Sequence, residues 1–126
     1  MLSLPPSVQI YVCTEPVDMR KQFDGLSAVV SQQLEQDPLS GHLYVFFNRG
    51  ANRLKILWWD RGGYALLYKR LERGTFQFPR AVSSGARRVK IDSGELALIL
   101  EGIDLRQATW RARWNPMESV ELVTPQ

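Results

Sequence analysis

Residues 53–76 of the chain, RLKILWWDRGGYALLYKRLERGTF, contain two runs of apolar and aromatic residues separated by a short glycine-rich connection. Both runs, 53–60 and 64–71, have the composition of β-strands, and a two-residue turn at Arg61 and Gly62 would join them. The stretch therefore predicts an antiparallel β-hairpin. A turn of this length also fixes which residues face each other across the two strands.

The predicted register sorts the side chains of the hairpin onto two faces. The cross-strand partners are Trp59 with Tyr64, Leu57 with Leu66, Lys55 with Tyr68, and Arg53 with Arg70. These residues share one face, whereas the other face is apolar apart from Lys69. A sheet needs only one apolar face to form a core, so we expect the face with the cations and rings to lie outside.

Strand and helix patterns flank the hairpin on both sides. Residues 8–13 and 42–47 are typical of strands, and residues 88–91 of an edge strand. Apolar residues recur at helical spacing in two segments: Phe23, Leu26, Val30 and Leu34 in the first, and Leu96, Ile99, Leu100 and Ile103 in the second. Asp92 and Glu95 have the spacing of a capping box at the start of the second helix.

These elements predict an α+β fold. The strands are joined by short Gly- and Asn-rich connections, so we expect an antiparallel β-meander that is packed on one face by the two helices. A chain of 126 residues is best interpreted as a single domain, 1–126. Within it, about 106–126 form a C-terminal extension that the pattern does not assign to an element.

The positive charge is concentrated in the middle of the chain. Residues 49–90 contain eleven Lys and Arg against two Asp and Glu, a net charge of +9, whereas each flank carries −3. Such a distribution indicates either a localised positive field for a nucleic acid or a solvated face that serves solubility.

The sequence lacks the residues that several kinds of catalytic or metal site require. The sequence contains one cysteine, Cys13, and one histidine, His42, which cannot form an internal disulfide or the usual zinc site. A single histidine also argues against a catalytic serine or cysteine triad, because the triad needs an imidazole base beside its nucleophile. No phosphate-cradling GxxxxGK[ST] motif occurs, so no nucleotide cofactor is expected. The carboxylates show no close cluster for a two-metal nuclease, which remains a minor alternative. We therefore expect no enzyme activity, metal or cofactor.

The chain also has no membrane signature. No run approaches the roughly 18 apolar residues that a membrane span needs. The N-terminal MLSLPPSVQ has neither a cationic start nor a long apolar run, so it does not resemble a secretory signal. We expect a cytoplasmic protein without a membrane partner.

Four blocks of the sequence resemble a known family. They are DMRKQFDGL (18–26), DPLSGHLYVFFNR (37–49), NRLKILWWDRGGYALLYKRLERGTF (52–76) and LALILEGIDL (96–105). In this order they look like the accessory, second-open-reading-frame proteins of the insertion sequence 66 family of bacterial transposable elements. The resemblance implies a small protein that is encoded with a separate DDE transposase and assists transposition without established catalysis. It assigns no biochemical role to individual residues.

We expect the basic and aromatic surface of the hairpin to bind the DNA of the element ends. The candidate DNA-binding residues are Arg20, Lys21, Arg49, Arg53, Lys55, Trp59, Tyr64, Tyr68, Lys69, Arg70, Arg73, Arg87 and Arg88. Arg and Lys neutralise phosphates, and rings stack on bases or brace the cations. Arg20 and Lys21 enter the set because Asp18 is a candidate helix N-cap, and helix starts favour phosphate. The alternative is an adaptor that binds the transposase, since Trp, Tyr and Arg dominate protein interfaces.

Overall fold

The computed structural model describes residues 5–78 and 85–102. Five strands and two helices follow one another along this part of the chain: β1 (Ile10–Cys13), α1 (Phe23–Gln32), β2 (Leu43–Phe47), β3 (Arg53–Trp59), β4 (Tyr64–Arg70), β5 (Arg88–Ile91) and α2 (Ser93–Glu101). The predicted α+β class is confirmed. The proposed extension, 106–126, lies outside the described residues.

The five strands form one mixed sheet in the order β4-β3-β2-β1-β5. β2, β3 and β4 make the predicted antiparallel meander, and β5 is antiparallel to β1. β1, however, pairs with β2 in parallel, so the expectation of a wholly antiparallel sheet is wrong. The reason is that α1 lies between β1 and β2 and carries the chain back across the sheet, as a parallel pair requires.

The register of the central hairpin is the predicted one. Trp59 faces Tyr64, and Arg53 faces Arg70. The turn is closed by a hydrogen bond from the Asp60 amide to the Gly63 carbonyl, 2.7 Å long. Arg61 has φ of 42° and Gly62 has φ of 92°, the two left-handed residues that characterise a type I′ turn.

The two helices pack on opposite faces of the sheet, which corrects the prediction that both cover one face. Leu26 and Val30 of α1 belong to a core that includes Phe46 of β2. Leu96 of α2 belongs to a second core, with Val45 of β2. Neighbouring residues of a strand point to opposite faces, so the sheet separates the two cores.

The start and the end of α2 are each fixed by local contacts. The carboxylate of Asp92 accepts a hydrogen bond from the Glu95 amide at 2.7 Å, and the Glu95 side chain accepts one from the Asp92 amide at 3.1 Å. This is the predicted capping box at the start of α2. At the other end, Gly102 has φ of 72° and lies so close to Leu71 that a Cβ would be 2.6 Å from its Cδ1.

Candidate nucleic-acid interface

The directions of the strands bring dispersed arginines to one end of the sheet. Cys13 at the end of β1 faces Arg88 at the start of β5, Phe47 at the end of β2 faces Leu54, and Arg53 faces Arg70 at the end of β4. The 48–52 loop lies at the same end. Its Ala51 carbonyl accepts a hydrogen bond from the Phe76 amide at 2.7 Å, which holds the segment after β4 beside it.

We call this end of the sheet the basic end. Its cations are Arg49, Arg53, Arg70, Arg73, Arg87 and Arg88. Its acids are Glu15, Asp18, Glu72 and Glu101, the last of which ends α2 beside Lys69 and Leu71. The opposite end, which contains the hairpin turn, carries Asp37, Asp60, Asp92 and Glu95 beside Arg61 and Lys90. The sheet is therefore electrostatically polarised along its strands.

Three arginines at the basic end have exposed guanidinium groups without an ion-pair partner in the described ranges. They are Arg49 in the β2–β3 loop, Arg73 after β4 and Arg87 before β5. The loop that carries Arg49 is ordered by Asn48, whose side-chain oxygen accepts hydrogen bonds from the Asn52 and Arg53 amides, both 3.0 Å long. The position of Arg49 is thus defined by a structured loop.

Arg53 and Arg70 form a like-charged cross-strand pair at the basic end. A guanidinium nitrogen of Arg53 donates to the Tyr68 hydroxyl at 3.0 Å. The guanidinium of Arg70 pairs with the Glu72 carboxylate at 2.9 Å, an exposed contact. The Glu72 carboxylate compensates one of these two facing cations, so a net positive charge remains at this point of the surface.

Lys55 is not on the exposed surface, and that expectation is wrong. Its side chain is 1% exposed. The ammonium donates hydrogen bonds to the backbone carbonyls of Met19, at 2.8 Å, and Lys21, at 2.7 Å, and lies 4.7 Å from the centre of the Tyr68 ring. The segment before α1 covers this part of the face. The signal that sequence reasoning missed is the continuous apolar run of β2, which is buried on both sides.

The three candidate rings do not lie together. Trp59 meets Tyr64 edge to face at 5.1 Å, and Phe23 stacks on Tyr64 at 6.5 Å. These rings are beside the hairpin turn. Tyr68 lies four residues further along β4, a separation of about 13 Å. Only Tyr68, which is 48% exposed, stands next to the arginines of the basic end.

Two further candidate cations, Lys69 and Arg88, donate hydrogen bonds to carbonyls near the ends of the helices. The Lys69 ammonium lies on the opposite face of the sheet and donates to the Leu100 carbonyl near the end of α2 at 2.6 Å. Arg88 is half-buried, and its guanidinium donates to the Leu34 carbonyl after α1 at 2.6 Å. It also lies 5.9 Å from the Tyr11 ring. Both contacts place a cation at carbonyls near a helix end, where positive charge is favourable.

Arg20 and Lys21 are exposed, but Asp18 is not the N-cap of α1. The helix begins at Phe23 after Gln22, and Asp18 instead accepts the Arg20 amide at 2.9 Å in a local turn. Hydrogen bonds from the Arg20 side chain lower the pKa of Asp18 to about 2. Arg20 therefore carries its own counter-charge, and the helix-start argument for phosphate does not apply to this pair.

The titratable groups of the described residues do not form a metal site. No three His, Cys, Asp or Glu side chains in ranges 5–78 and 85–102 lie close enough to hold a metal ion. Cys13 is buried, which raises the pKa of its thiol, and the His42 ring accepts the Gln9 amide at 3.0 Å. The described helices include none that is long and apolar enough to cross a membrane.

Fold and charge together define a small α+β protein whose mixed sheet ends in a cluster of arginines. A family model described as IS66 Orf2 like protein matches residues 8–110. The chain therefore belongs to this family, and it has an accessory role in transposition of insertion sequences.

Two curated proteins of Sinorhizobium fredii are similar to the chain. The uncharacterized protein y4hO is 40% identical over 113 residues, which cover 88% of this chain and 96% of that protein. The uncharacterized protein y4jC is 36% identical over 104 residues, which cover 82% and 86%. No solved structure matches the chain.

Proposed function

We propose that this accessory protein binds DNA phosphates through the basic end of its sheet, in the cytoplasm and without catalysing a reaction itself. The observation that carries the proposal is the convergence of Arg49, Arg53, Arg70, Arg73 and Arg87 at one end of five strands. The antiparallel meander brings the first four residues together, and the pairing of β5 with β1 adds Arg87 from a distant part of the sequence. A solvated face that served solubility alone would not require such convergence.

The dimensions of the basic end suit a nucleic acid. Five adjacent strands span about 19 Å from edge to edge. A DNA strand presents a phosphate about every 3.4 Å along the helix axis, so several phosphates fit within this width. Exposed guanidinium groups donate in pairs to phosphate oxygens, which favours arginine over lysine for this contact.

A matched pair of double variants tests the proposal. Arg53→Gln with Arg70→Gln removes two charges from the basic end, and Arg61→Gln with Lys90→Gln removes two exposed charges elsewhere. Binding of a fluorescent duplex is measured by anisotropy across about 50 to 200 mM salt. We expect the first variant to reduce the slope of log K against log salt by about 2, because each lost phosphate contact removes about 0.9.

The control variant separates specific contacts from net charge. Both double variants have the same formal charge, so equal losses of affinity would contradict a defined interface at the basic end. A wild-type protein that binds neither a duplex nor a single strand at low salt would also contradict it.

A second candidate function is that of an adaptor for the transposase, and it rests on the opposite end of the sheet. There Phe23 is 44% exposed and stacks on Tyr64, which in turn contacts Trp59. Aromatic clusters of this kind are frequent centres of protein interfaces. Capture of the purified transposase by wild type, but not by Phe23→Ala, would support the adaptor. Capture by both proteins would argue against this surface.

A further inference from the structure

Tyr68 is fixed in place more firmly than its exposure suggests. The Lys55 ammonium lies 4.7 Å from the centre of its ring, and its hydroxyl accepts a hydrogen bond from Arg53 at 3.0 Å. Lys55 is itself held by two backbone carbonyls. The ring therefore cannot turn without breaking contacts to both cations.

The exposed part of Tyr68 must lie away from Lys55. Lys55 is 1% exposed, so the side of the ring that it occupies is closed to solvent. Tyr68 nevertheless keeps 48% of its surface exposed. An aromatic surface that is open, held on one side and flanked by Arg53 and Arg70 has the composition of a stacking platform for a nucleobase.

We propose that Tyr68 stacks on an unpaired base, so that the basic end prefers single-stranded DNA to a duplex. This inference rests on the proposed function and specifies the form of DNA. In a duplex, each base face is covered by its neighbours, and a ring on the sheet edge reaches only the backbone. A single strand offers both a free base face for Tyr68 and phosphates for Arg53 and Arg70.

The other rings do not provide the same surface. Trp59 and Tyr64 pack on each other, and Phe23 covers Tyr64. They also stand about 13 Å along the strands from Tyr68. A base stacked there would lie at the opposite end of the sheet, so among these four rings Tyr68 is the one that combines exposure with adjacent cations.

The test compares three oligonucleotides with three proteins. The oligonucleotides are a single strand of 15 nucleotides, its duplex, and the same strand with abasic sites at its central positions. The proteins are wild type, Tyr68→Leu and Tyr68→Phe. Tyr68→Phe keeps the ring and removes the hydroxyl, whereas Tyr68→Leu removes the ring at a half-exposed position.

We expect wild type to bind the intact single strand about tenfold more tightly than the abasic strand, since one stacked base typically contributes this much. Tyr68→Leu should lose this difference while it keeps its affinity for the duplex, and Tyr68→Phe should keep the difference. Equal binding of intact and abasic strands by wild type would overturn the stacking proposal. Equal losses by Tyr68→Leu on all three oligonucleotides would also overturn it.

The outcomes distinguish this inference from the proposed function. Duplex binding that depends on Arg53 and Arg70 without any preference for unpaired bases would leave the phosphate interface intact and remove the role of Tyr68. Absence of binding to every oligonucleotide at low salt would overturn both.

Discussion

At the scale of single residues, Lys55 has a structural role and does not lie on the exposed face of the hairpin. A cation between the apolar Leu54 and Ile56 was predicted to face a phosphate, yet its ammonium holds the carbonyls of Met19 and Lys21 instead. Lys55 thereby fixes the segment that precedes α1 onto β3. It also supports Tyr68 from the inner side, so a buried lysine shapes the surface without belonging to it.

Replacement of Lys55 by Met should destabilise the fold. Two carbonyl oxygens would lose their donor in a closed environment, and we expect a loss of about 1–3 kcal/mol in the free energy of unfolding. Urea unfolding provides the measurement, and Lys90→Met, at an exposed position of β5, is the matched control. If both variants were equally stable, the structural role assigned to Lys55 would be wrong.

The thiol of Cys13 should be inert in the folded protein. Burial raises its pKa, and only a long contact to the Glu15 carbonyl, 3.4 Å, opposes this effect. Because the thiolate is the reactive form, we expect negligible modification by a thiol reagent at pH 8 until urea unfolds the chain. Labelling of the native protein at the rate of a free thiol would contradict the buried placement.

The raised pKa of Cys13 makes the stability of the fold depend on pH. Above about pH 8.5, the thiol of the unfolded chain ionises while the folded thiol keeps its proton. The unfolded state then binds fewer protons than the folded state, so stability falls as the pH rises. The Cys13→Ala variant should lack this contribution when urea midpoints are compared from pH 7 to pH 10.

At the scale of elements, the hairpin turn offers a comparison between neighbouring glycines. Gly62 has φ of 92° and Gly63 does not share this conformation, while both have open space around the position of a Cβ. Gly62→Ala should therefore cost about 1–2 kcal/mol of stability, because an L-residue is strained there, and Gly63→Ala should cost much less. Equal urea midpoints for the two variants would contradict the type I′ turn.

The sequence predicted the hairpin and the flanking strands and helices, but it did not predict the parallel pairing of β1 with β2 or the face that each helix covers. Alternation and a two-residue turn determine register locally, so the pairing of Trp59 with Tyr64 followed from the sequence. Which face a helix covers depends on the crossover between β1 and β2, and no local pattern within the hairpin records it. The apolar run of Leu43–Phe47 was the available sign of burial on both faces.

At the scale of the whole molecule, the charge of the chain is polarised along the strand direction. The excess of arginine between residues 49 and 90 was visible in the sequence. The register of the hairpin places Arg53 and Arg70 at one end, as predicted. The position of Arg87 and Arg88 at the same end does not follow from a local pattern, because it depends on the pairing of β5 with β1 at the far edge of the sheet. Trp59 and Tyr64 fall at the opposite end because they flank the hairpin turn.

Two acidic residues in equivalent settings test this polarity. Glu72 pairs with Arg70 at the basic end, and Asp60 lies 3.7 Å from Arg61 at the turn. Glu72→Gln should raise the affinity for DNA by about two- to fivefold, since it releases an exposed cation, and Asp60→Asn should have little effect. Anisotropy titrations at fixed salt give the comparison. Equal gains for both variants would indicate a response to net charge alone.

An NMR titration of the ¹⁵N-labelled protein with DNA reports directly where on the molecule the DNA lies. We expect the amide signals of Arg49, Arg53, Arg70 and Arg73 to shift progressively, and those of residues 60–63 and of Asp92 to stay in place. Shifts centred on residues 60–63, or no shifts at low salt, would contradict a DNA interface at the basic end of the sheet.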